Sequence, residues 1–357
     1  MNKYIPEKVA KLDEYIPDNG KYDIRVDANE SPFLPSEKMK KDMEKAFSGV
    51  AFNRYPDSEA SLLKEAYAKI YGIESDCVVA GNGSDELISV ITATFLSPGD
   101  KVLVVLPDFS MYEFYAKISG ADVVRYEKHS DFSVDFDDIS RVVAEEGIKL
   151  VIFSNPCNPT GRAYDKETID KFIDSVDTLV VVDEAYMEFC TKDASVLSEY
   201  SGRENLIVLK TLSKAYGLAA MRCGFAIGNR ELITAIKKVK SPYNVNSATQ
   251  AVATAVLGHV DEIKNNTAVM IAERIKVETK LRELAEKYSF KVYPSDTNFV
   301  LAHIGDKSKA IYSYLIERSV KIRLMGEFLR IAASYSEETD RVLDLLEEAF
   351  ASVFSVR

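Results

Sequence analysis

Residues 149–186 read KLVIFSNPCNPTGRAYDKETIDKFIDSVDTLVVVDEAY. Two apolar runs rich in Val, Ile and Leu, at 149–153 and 179–183, flank a helix-like amphipathic stretch at 166–175. Strand, helix and strand in that order predict a βαβ unit, whose two strands lie parallel. The same theme repeats from residue 77 to residue 228. Strands are expected near 77–80, 101–106, 122–127, 149–153, 179–183, 206–210 and 223–227, with helices near 84–95, 110–119, 137–146 and 166–175 between the earlier ones. This alternation predicts an α/β fold with a mostly parallel seven-stranded sheet covered by helices. From about 246 to 288 the chain has no proline and a long helical periodicity, and 289–357 reads as strand segments with intervening and terminal helices. The expected organisation is a large domain over 41–265 and a smaller α+β domain over 266–357, joined by the N-terminal arm 1–40.

The composition narrows the function. A chain of 357 residues, 46% of them hydrophobic, buries a substantial core and suits two domains better than one. Its 56 acidic residues outnumber 45 basic ones, for a net charge of -11, and no basic patch stands out. That balance repels nucleic acid and anionic lipid. Cys77, Cys157, Cys190 and Cys223 show no paired or metal-like spacing, so a reduced cytoplasmic protein is expected, with the cysteines as small apolar fillers. Residues Met1 to Ala10 have neither a basic start nor an apolar segment, and no apolar run reaches membrane-spanning length. His129, His259 and His303 lie outside every motif, which argues against a Ser-His-Asp hydrolase or a His-ligated metal, and no metal is expected.

The residues able to carry chemistry fall at strand ends, where open α/β sheets bind ligands. Gly81-Asn82-Gly83-Ser84-Asp85-Glu86-Leu87 follows an apolar strand and opens a helix. Backbone N–H groups at such a start favour a phosphate, and Ser84 adds a hydroxyl. An ordinary turn capped by Ser84 explains the segment equally well. A dinucleotide fingerprint needs a third glycine where Glu86 stands, and an acid about twenty residues on, so a nicotinamide-dependent oxidoreductase is disfavoured. Asn155-Pro156-Cys157-Asn158-Pro159-Thr160-Gly161 forms a stiff loop that can hold Asn158 in one orientation. Asp183-Glu184-Ala185-Tyr186 places a carboxylate at a strand end and a phenol three residues later. Thr211-Leu212-Ser213-Lys214 follows the next strand, and Arg222 comes eight residues after the lysine.

Each piece alone reads as a turn, a helix-start acid or a surface lysine, but together they meet the needs of pyridoxal 5'-phosphate. That cofactor requires an amine for covalent attachment, an acid facing its ring nitrogen, donors to its phenolic oxygen and donors to its phosphate. Lys214, Asp183, Asn158 with Tyr186, and the group Ser84, Ser213 and Arg222 fill those roles. A buried Asp183 would keep the ring nitrogen protonated. Lys214 must be partly desolvated or placed beside a cation to react as an amine near neutral pH, and can then shuttle the substrate's α-proton.

Over nearly its full length the chain resembles the class I/II, fold-type I aminotransferases, and most closely the histidinol-phosphate aminotransferase family. The resemblance rests on Asp27-Ala28-Asn29-Glu30-Ser31-Pro32, Asn53-Arg54-Tyr55-Pro56-Asp57, Gly83-Ser84-Asp85-Glu86, Pro107-Asp108-Phe109, the loop around Asn158, and Asp183-Glu184-Ala185-Tyr186. It continues through Ser213-Lys214 with Arg222-Cys223-Gly224, Thr297-Asn298-Phe299 and Phe328-Leu329-Arg330-Ile331. It implies that Lys214 holds the cofactor, Asp183 faces the pyridine nitrogen, and Asn158 and Tyr186 hold the phenolic oxygen. Phe109, where relatives carry Tyr or Trp, would stack on the ring. Ser84, Asp85, Ser213 and Arg222 would surround the phosphate, and Tyr55 would reach in from the other subunit of a homodimer with shared active sites. Arg330 would bind the substrate's anionic group, with Tyr15 and Arg323 holding a phosphorylated tail. The implied reaction is transamination of histidinol phosphate, or a similar anionic amine, with 2-oxoglutarate as acceptor.

Two departures from the family pattern lie near the substrate's side-chain end. The segment Leu324-Met325-Gly326-Glu327-Phe328-Leu329 is shorter than the family's, and Ala332-Ala333-Ser334-Tyr335 stands where a Gly-Thr pair is usual. They leave a broad aromatic aminotransferase or a phosphothreonine decarboxylase-like enzyme as alternatives with the same cofactor, because the bond cleaved depends on how the substrate is oriented.

Overall fold

In the computed structural model, which describes residues 3–10, 12, 14 and 18–355, a short strand β1 (Ile24–Arg25) and the helices Glu37–Ser48 and Ser61–Tyr71 precede the main sheet. That sheet is built from β2 (Val78–Gly81), β3 (Lys101–Leu106), β4 (Asp122–Glu127), β5 (Ile148–Ser154), β6 (Leu179–Asp183), β7 (Leu206–Thr211) and β8 (Gly224–Gly228). Its spatial order is β2-β8-β7-β6-β5-β3-β4. The pairs β3–β4, β3–β5, β5–β6 and β6–β7 are parallel, whereas β8 runs antiparallel to both neighbours. The connection from β7 to β8, residues 212–223, holds a 3-10 turn (Ala219–Met221) instead of a crossover helix, so the chain doubles back. As a result Ser213, Lys214 and Arg222 stay at the edge where the parallel strands end.

The apolar runs are nearly continuous because both faces of the sheet are covered. Val180, Val182, Leu206 and Val208 face one layer, packed with Leu63, Ile139, Ile169 and Phe172. Val181, Ile207 and Leu209 face the other, packed with Leu87, Ile91, Tyr112, Ile233 and Ile236. Helix starts are set by side chains that accept from the first-turn N–H groups: Ser36, Asp135, Asp165, Asn229 and Asn246 each do so, an arrangement worth about 1 kcal/mol per cap. All seven strands expected from the sequence are present within one residue at either end.

The helical stretch expected over 246–288 is two helices, Ser247–Leu257 and Val260–Tyr288, broken at Gly258 and His259. Residues 265 and 266 lie inside the second, so the passage from one sheet to the other follows a continuous 29-residue rod. Beyond it come β9 (Lys291–Val292), β10 (Phe299–His303), the helix Ser308–Ile316, β11 (Val320–Lys321), β12 (Arg323–Met325), β13 (Phe328–Ala332) and the helix Ser336–Ser355. An antiparallel sheet of order β12-β13-β10-β9 forms, and β11 pairs parallel with β1. Val342, Leu345, Leu346 and Phe350 of the last helix pack in the same core as Met270, Val277, Leu281 and Leu284 of the long helix. The shortened segment 324–329 is a tight hairpin closed by Gly326 and Glu327, and Gly326 supplies the positive φ of +61° that such a turn requires.

Candidate active site

Asp183 ends β6 and is only 4% exposed. Its Oδ2 accepts from the Tyr112 hydroxyl at 2.8 Å and its Oδ1 from the Ala185 N–H at 3.0 Å. Among the described residues no lysine or arginine forms a salt bridge with it. Burial pushes its pKa up to about 7; the Tyr112 and Ala185 donors oppose the shift, and the nearby Asp108 and Asp85 charges add to it. A buried carboxylate in this condition suits a ligand that presents a cationic N–H, because such a group restores the ionised form.

Lys214 sits half-buried in the loop after β7. Its Nζ donates to the Ala28 carbonyl at 2.8 Å and lies 5.8 Å from the centre of the Tyr186 ring. The residues on either side of Ala28 engage the site as well. The Asp27 carbonyl accepts from Arg330 Nη2 at 2.7 Å, and Asn29 Nδ2 donates to the Tyr186 hydroxyl at 3.0 Å. Asn29 adopts the left-handed conformation, φ 56°, and its carbonyl accepts from Asn298 Nδ2 at 3.1 Å. Three consecutive arm residues thus hold a lysine, a phenol and a guanidinium in one place.

The start of helix Ser84–Phe95 forms the next wall. Gly83 precedes it with φ +85°, and a Cβ there would stand 2.7 Å from Arg222 Nη2; at Gly224 a Cβ would stand 2.6 Å from the Ser84 nitrogen. Glycine at both positions lets the guanidinium and the helix start approach one another. Arg222 Nη1 donates to Ser213 Oγ at 3.3 Å and its Nη2 to Asp85 Oδ2 at 3.2 Å. Two hydroxyls, a guanidinium and helix-start N–H groups make a cradle that fits a phosphate.

Phe109 is half-buried just beyond β3, edge-on to Tyr112 with ring centres 5.6 Å apart. Asn158, in the loop after β5, accepts through Oδ1 from Arg330 Nη1. Arg330, 8% exposed on β13, also lies over the Phe299 ring at 5.2 Å.

Lys214, Asp183, Tyr186, Asn158, Phe109, Ser84, Asp85, Ser213, Arg222 and Arg330 are therefore gathered around the ends of the parallel strands. Tyr55 stands apart: it is 80% exposed and stacks on Tyr243 with centres 4.6 Å apart. Tyr15 lies outside the described residues. Arg323 is exposed on β12, directly opposite Arg330 on β13. Glu327 faces His303, whose Nε2 is 3.0 Å from its carboxylate, and His259 faces Asp42. Tyr112 and the contacts of Asp27, Ala28, Asn29 and Asn298 had no assigned role from the sequence. Tyr112 carries a faint signal, three residues after Phe109 on the first turn of helix Met111–Ser119; the others stand in strings that carry the family resemblance, but nothing local names their partners, which are distant in the chain.

Residues 22–346 match the family model for aminotransferases of class I and II. The chain is 37% identical over 353 residues to a histidinol-phosphate aminotransferase of Clostridium kluyveri, covering 98% of this chain and 97% of that protein. It is 40% identical over 332 residues to one of Clostridium novyi, covering 92% of each. Among solved structures, a histidinol-phosphate aminotransferase from Sinorhizobium meliloti in complex with pyridoxal 5'-phosphate superposes with a TM-score of 0.89 at 26% identity, covering 98% of both chains.

Proposed function

The chain belongs to the class I and II aminotransferases, and on that premise we propose that it transfers the amino group of histidinol phosphate, or of a similar anionic amine, to 2-oxoglutarate. The observation that carries the substrate reading is the pair of arginines facing one way from the β12–β13 hairpin, of which Arg330 is bound to the arm residue next to the one that holds Lys214. A guanidinium fork binds carboxylate or phosphate bidentately, so Arg330 serves both half-reactions and Arg323 adds to it for a phosphorylated tail. Tyr15 completes that end of the site in this reading.

Pyridoxal 5'-phosphate is the cofactor, and when bound it supplies an electron sink for the charge that develops at the substrate's α-carbon. In our reading Asp183 faces the ring nitrogen and holds its proton, while Asn158 and Tyr186 orient the phenolic oxygen. Asn29 donates to the Tyr186 hydroxyl, which leaves that hydroxyl's own proton to point at its ligand. Phe109 covers one ring face, and Ser84, Ser213 and Arg222 bind the phosphate, with Asp85 orienting Arg222. Lys214 Nζ holds the cofactor and, once displaced by substrate, moves the proton of the α-carbon.

We also propose a homodimer in which Tyr55 reaches the partner's phosphate cradle. Its support is the exposure of Tyr55 and of the large apolar side chains Leu34, Phe52 and Leu62 in the same N-terminal part of the chain, which a second copy would cover. Residues 41–265 carry the cofactor in this reading, and 1–40 with 266–357 form the smaller domain. No helix among the described residues is long and apolar enough to cross a membrane, and all four cysteines are free; we place the enzyme in the cytoplasm.

A panel of amino donors with 2-oxoglutarate, read by glutamate formation, tests the substrate. Histidinol phosphate is expected to lead. Faster turnover of aromatic amino acids would replace this reading with the broader aromatic one, and carbon dioxide release without glutamate would replace it with decarboxylation.

A further inference from the structure

Behind Phe109 and Asn158 lies a charged pair that the reaction does not use directly. Lys128 follows β4 and Asp108 follows β3; their side chains are 2% and 0% exposed, with Nζ 3.6 Å from Oδ2. Lys128 Nζ also donates to the Pro107 carbonyl at 2.8 Å and lies 2.9 Å from Cys157 Sγ. Asp108 Oδ1 accepts from the Phe109 N–H at 2.7 Å and from the Ser154 hydroxyl, and its Oδ2 accepts from the Ser154 N–H at 3.1 Å. Ser154 Oγ in turn accepts from the Asn158 N–H at 3.2 Å. One carboxylate thus ties the backbone of the ring-stacking residue to the loop that presents Asn158.

Stability alone gives a weak reason for such a pair, because taking two charges out of water costs several kcal/mol per ion and an apolar pair of similar volume often does as well. A carboxylate does offer something no neutral side chain can: about four lone-pair positions, enough for three protein donors and a cation at once. A serine or threonine at 108 could not hold Phe109 and both donors of Ser154 together. Burial pushes the Asp108 carboxyl up while Lys128 and the Ser154 donors pull it back; Cys157 and Asp108 hold the Lys128 ammonium above its usual value against the effect of burial.

We propose that the buried Asp108–Lys128 pair is the positioning unit of this site: it sets Phe109 relative to Asn158 and, through them, the tilt of the cofactor ring and the aim of Arg330. The proposal rests on the reading above that Phe109 and Asn158 hold the ring. Asp108 and Lys128 touch neither cofactor nor substrate and act through those two residues.

The test is the visible circular dichroism of the full-length protein loaded with pyridoxal 5'-phosphate, normalised to bound cofactor, because that signal depends on how the ring is held. Asp108→Ala is expected to keep a cooperatively folding chain and borohydride trapping on Lys214. It should lose most of the visible signal, and its kcat should fall about 10- to 100-fold, as for a misplacement of reacting groups by about 1 Å. An unchanged visible signal with unchanged kcat in folded Asp108→Ala protein overturns the proposal. If that variant does not fold, the uncharged double variant Asp108→Asn, Lys128→Met decides instead, since it leaves no buried charge unpaired. It should fold and show the same loss of signal; a wild-type signal overturns the proposal, and so does failure of both variants to fold, which would make the pair a requirement of the fold itself. Absence of a cofactor signal from the wild type would count against the cofactor reading of Phe109 and Asn158, not against the pair.

Discussion

Arg323 and Arg330 are Cα partners across the hairpin closed by Gly326 and Glu327, so their side chains leave the same face of the two strands. Like charges directly opposite each other destabilise a sheet, and an anion bound between them relieves the repulsion. Arg330 is held by Asn158 and the Asp27 carbonyl, whereas Arg323 is exposed and Glu327 is engaged by His303. Arg330→Ala is therefore expected to impair both half-reactions. Arg323→Ala should raise KM for histidinol phosphate by about tenfold, the equivalent of ~1.4 kcal/mol, and leave glutamate nearly unaffected. Steady-state kinetics with both donors check this; an unchanged KM for histidinol phosphate would remove Arg323 from the site.

Lys214→Ala should abolish transamination while leaving the fold intact. The side chain makes one hydrogen bond, to the Ala28 carbonyl, worth about 1 kcal/mol net. The variant's Tm should fall by no more than about 4 °C. Borohydride reduction of the wild type should leave the cofactor on the peptide that contains Lys214, read by mass spectrometry. Full activity in the alanine variant would end the assignment.

Asp183 makes the cofactor-free protein sensitive to pH in a defined direction. Its carboxyl sits at about 7 in the folded chain against an ordinary 3.8. Below the ordinary value both folded and unfolded chains carry the proton. As pH rises toward 7 the unfolded chain releases it first, so stability is lost through that window and no further above it. The shift corresponds to at most about 4 kcal/mol. Asp183→Asn cannot ionise, so its urea-unfolding free energy should gain on that of the wild type from pH 5 to 7 in the cofactor-free state. Tyr112→Phe removes one donor to the carboxylate and should move the upper end of the window higher. Parallel profiles for wild type and Asp183→Asn would show that burial does not shift this group.

Tyr55 gives a test of the assembly. Mixed Lys214→Ala and Tyr55→Ala chains should regain activity, because a hybrid dimer contains one site with its own Lys214 and the partner chain's intact tyrosine. Random pairing in equal amounts predicts about a quarter of the wild-type rate. Activity of a monomer at working concentration, or no recovery on mixing and refolding, would count against shared sites.

Much of this architecture could be read in one dimension. Strands run in one direction through a parallel sheet, so residues that directly follow successive apolar runs must arrive at the same edge. Asn158, Asp183, Ser213 and Lys214 could be placed together for that reason, and Phe109 with them. The hairpin at 324–329 was visible only as a shortened segment. Its meaning, that Arg323 and Arg330 face the same way, needed the strand register, because a shift of one residue would have turned one of them to the other face.

The seven strands of the main sheet, their order in the chain and the chemical class of the residues at their ends were legible because period and turn chemistry are local properties, whereas the helices Glu37–Ser48 and Ser61–Tyr71, the break at Gly258 and the reversal of β8 were not. Which distant groups hold those residues in place follows from packing. Asn29 meets Tyr186 across 157 positions, Ala28 meets Lys214 across 186 and Asp27 meets Arg330 across 303. The Asp108–Lys128 pair likewise joins the ends of two adjacent strands beneath the loop that presents Asn158. Such contacts form because a buried donor, acceptor or charge must find a partner wherever packing brings one within reach, and no local preference of the chain says which partner that is.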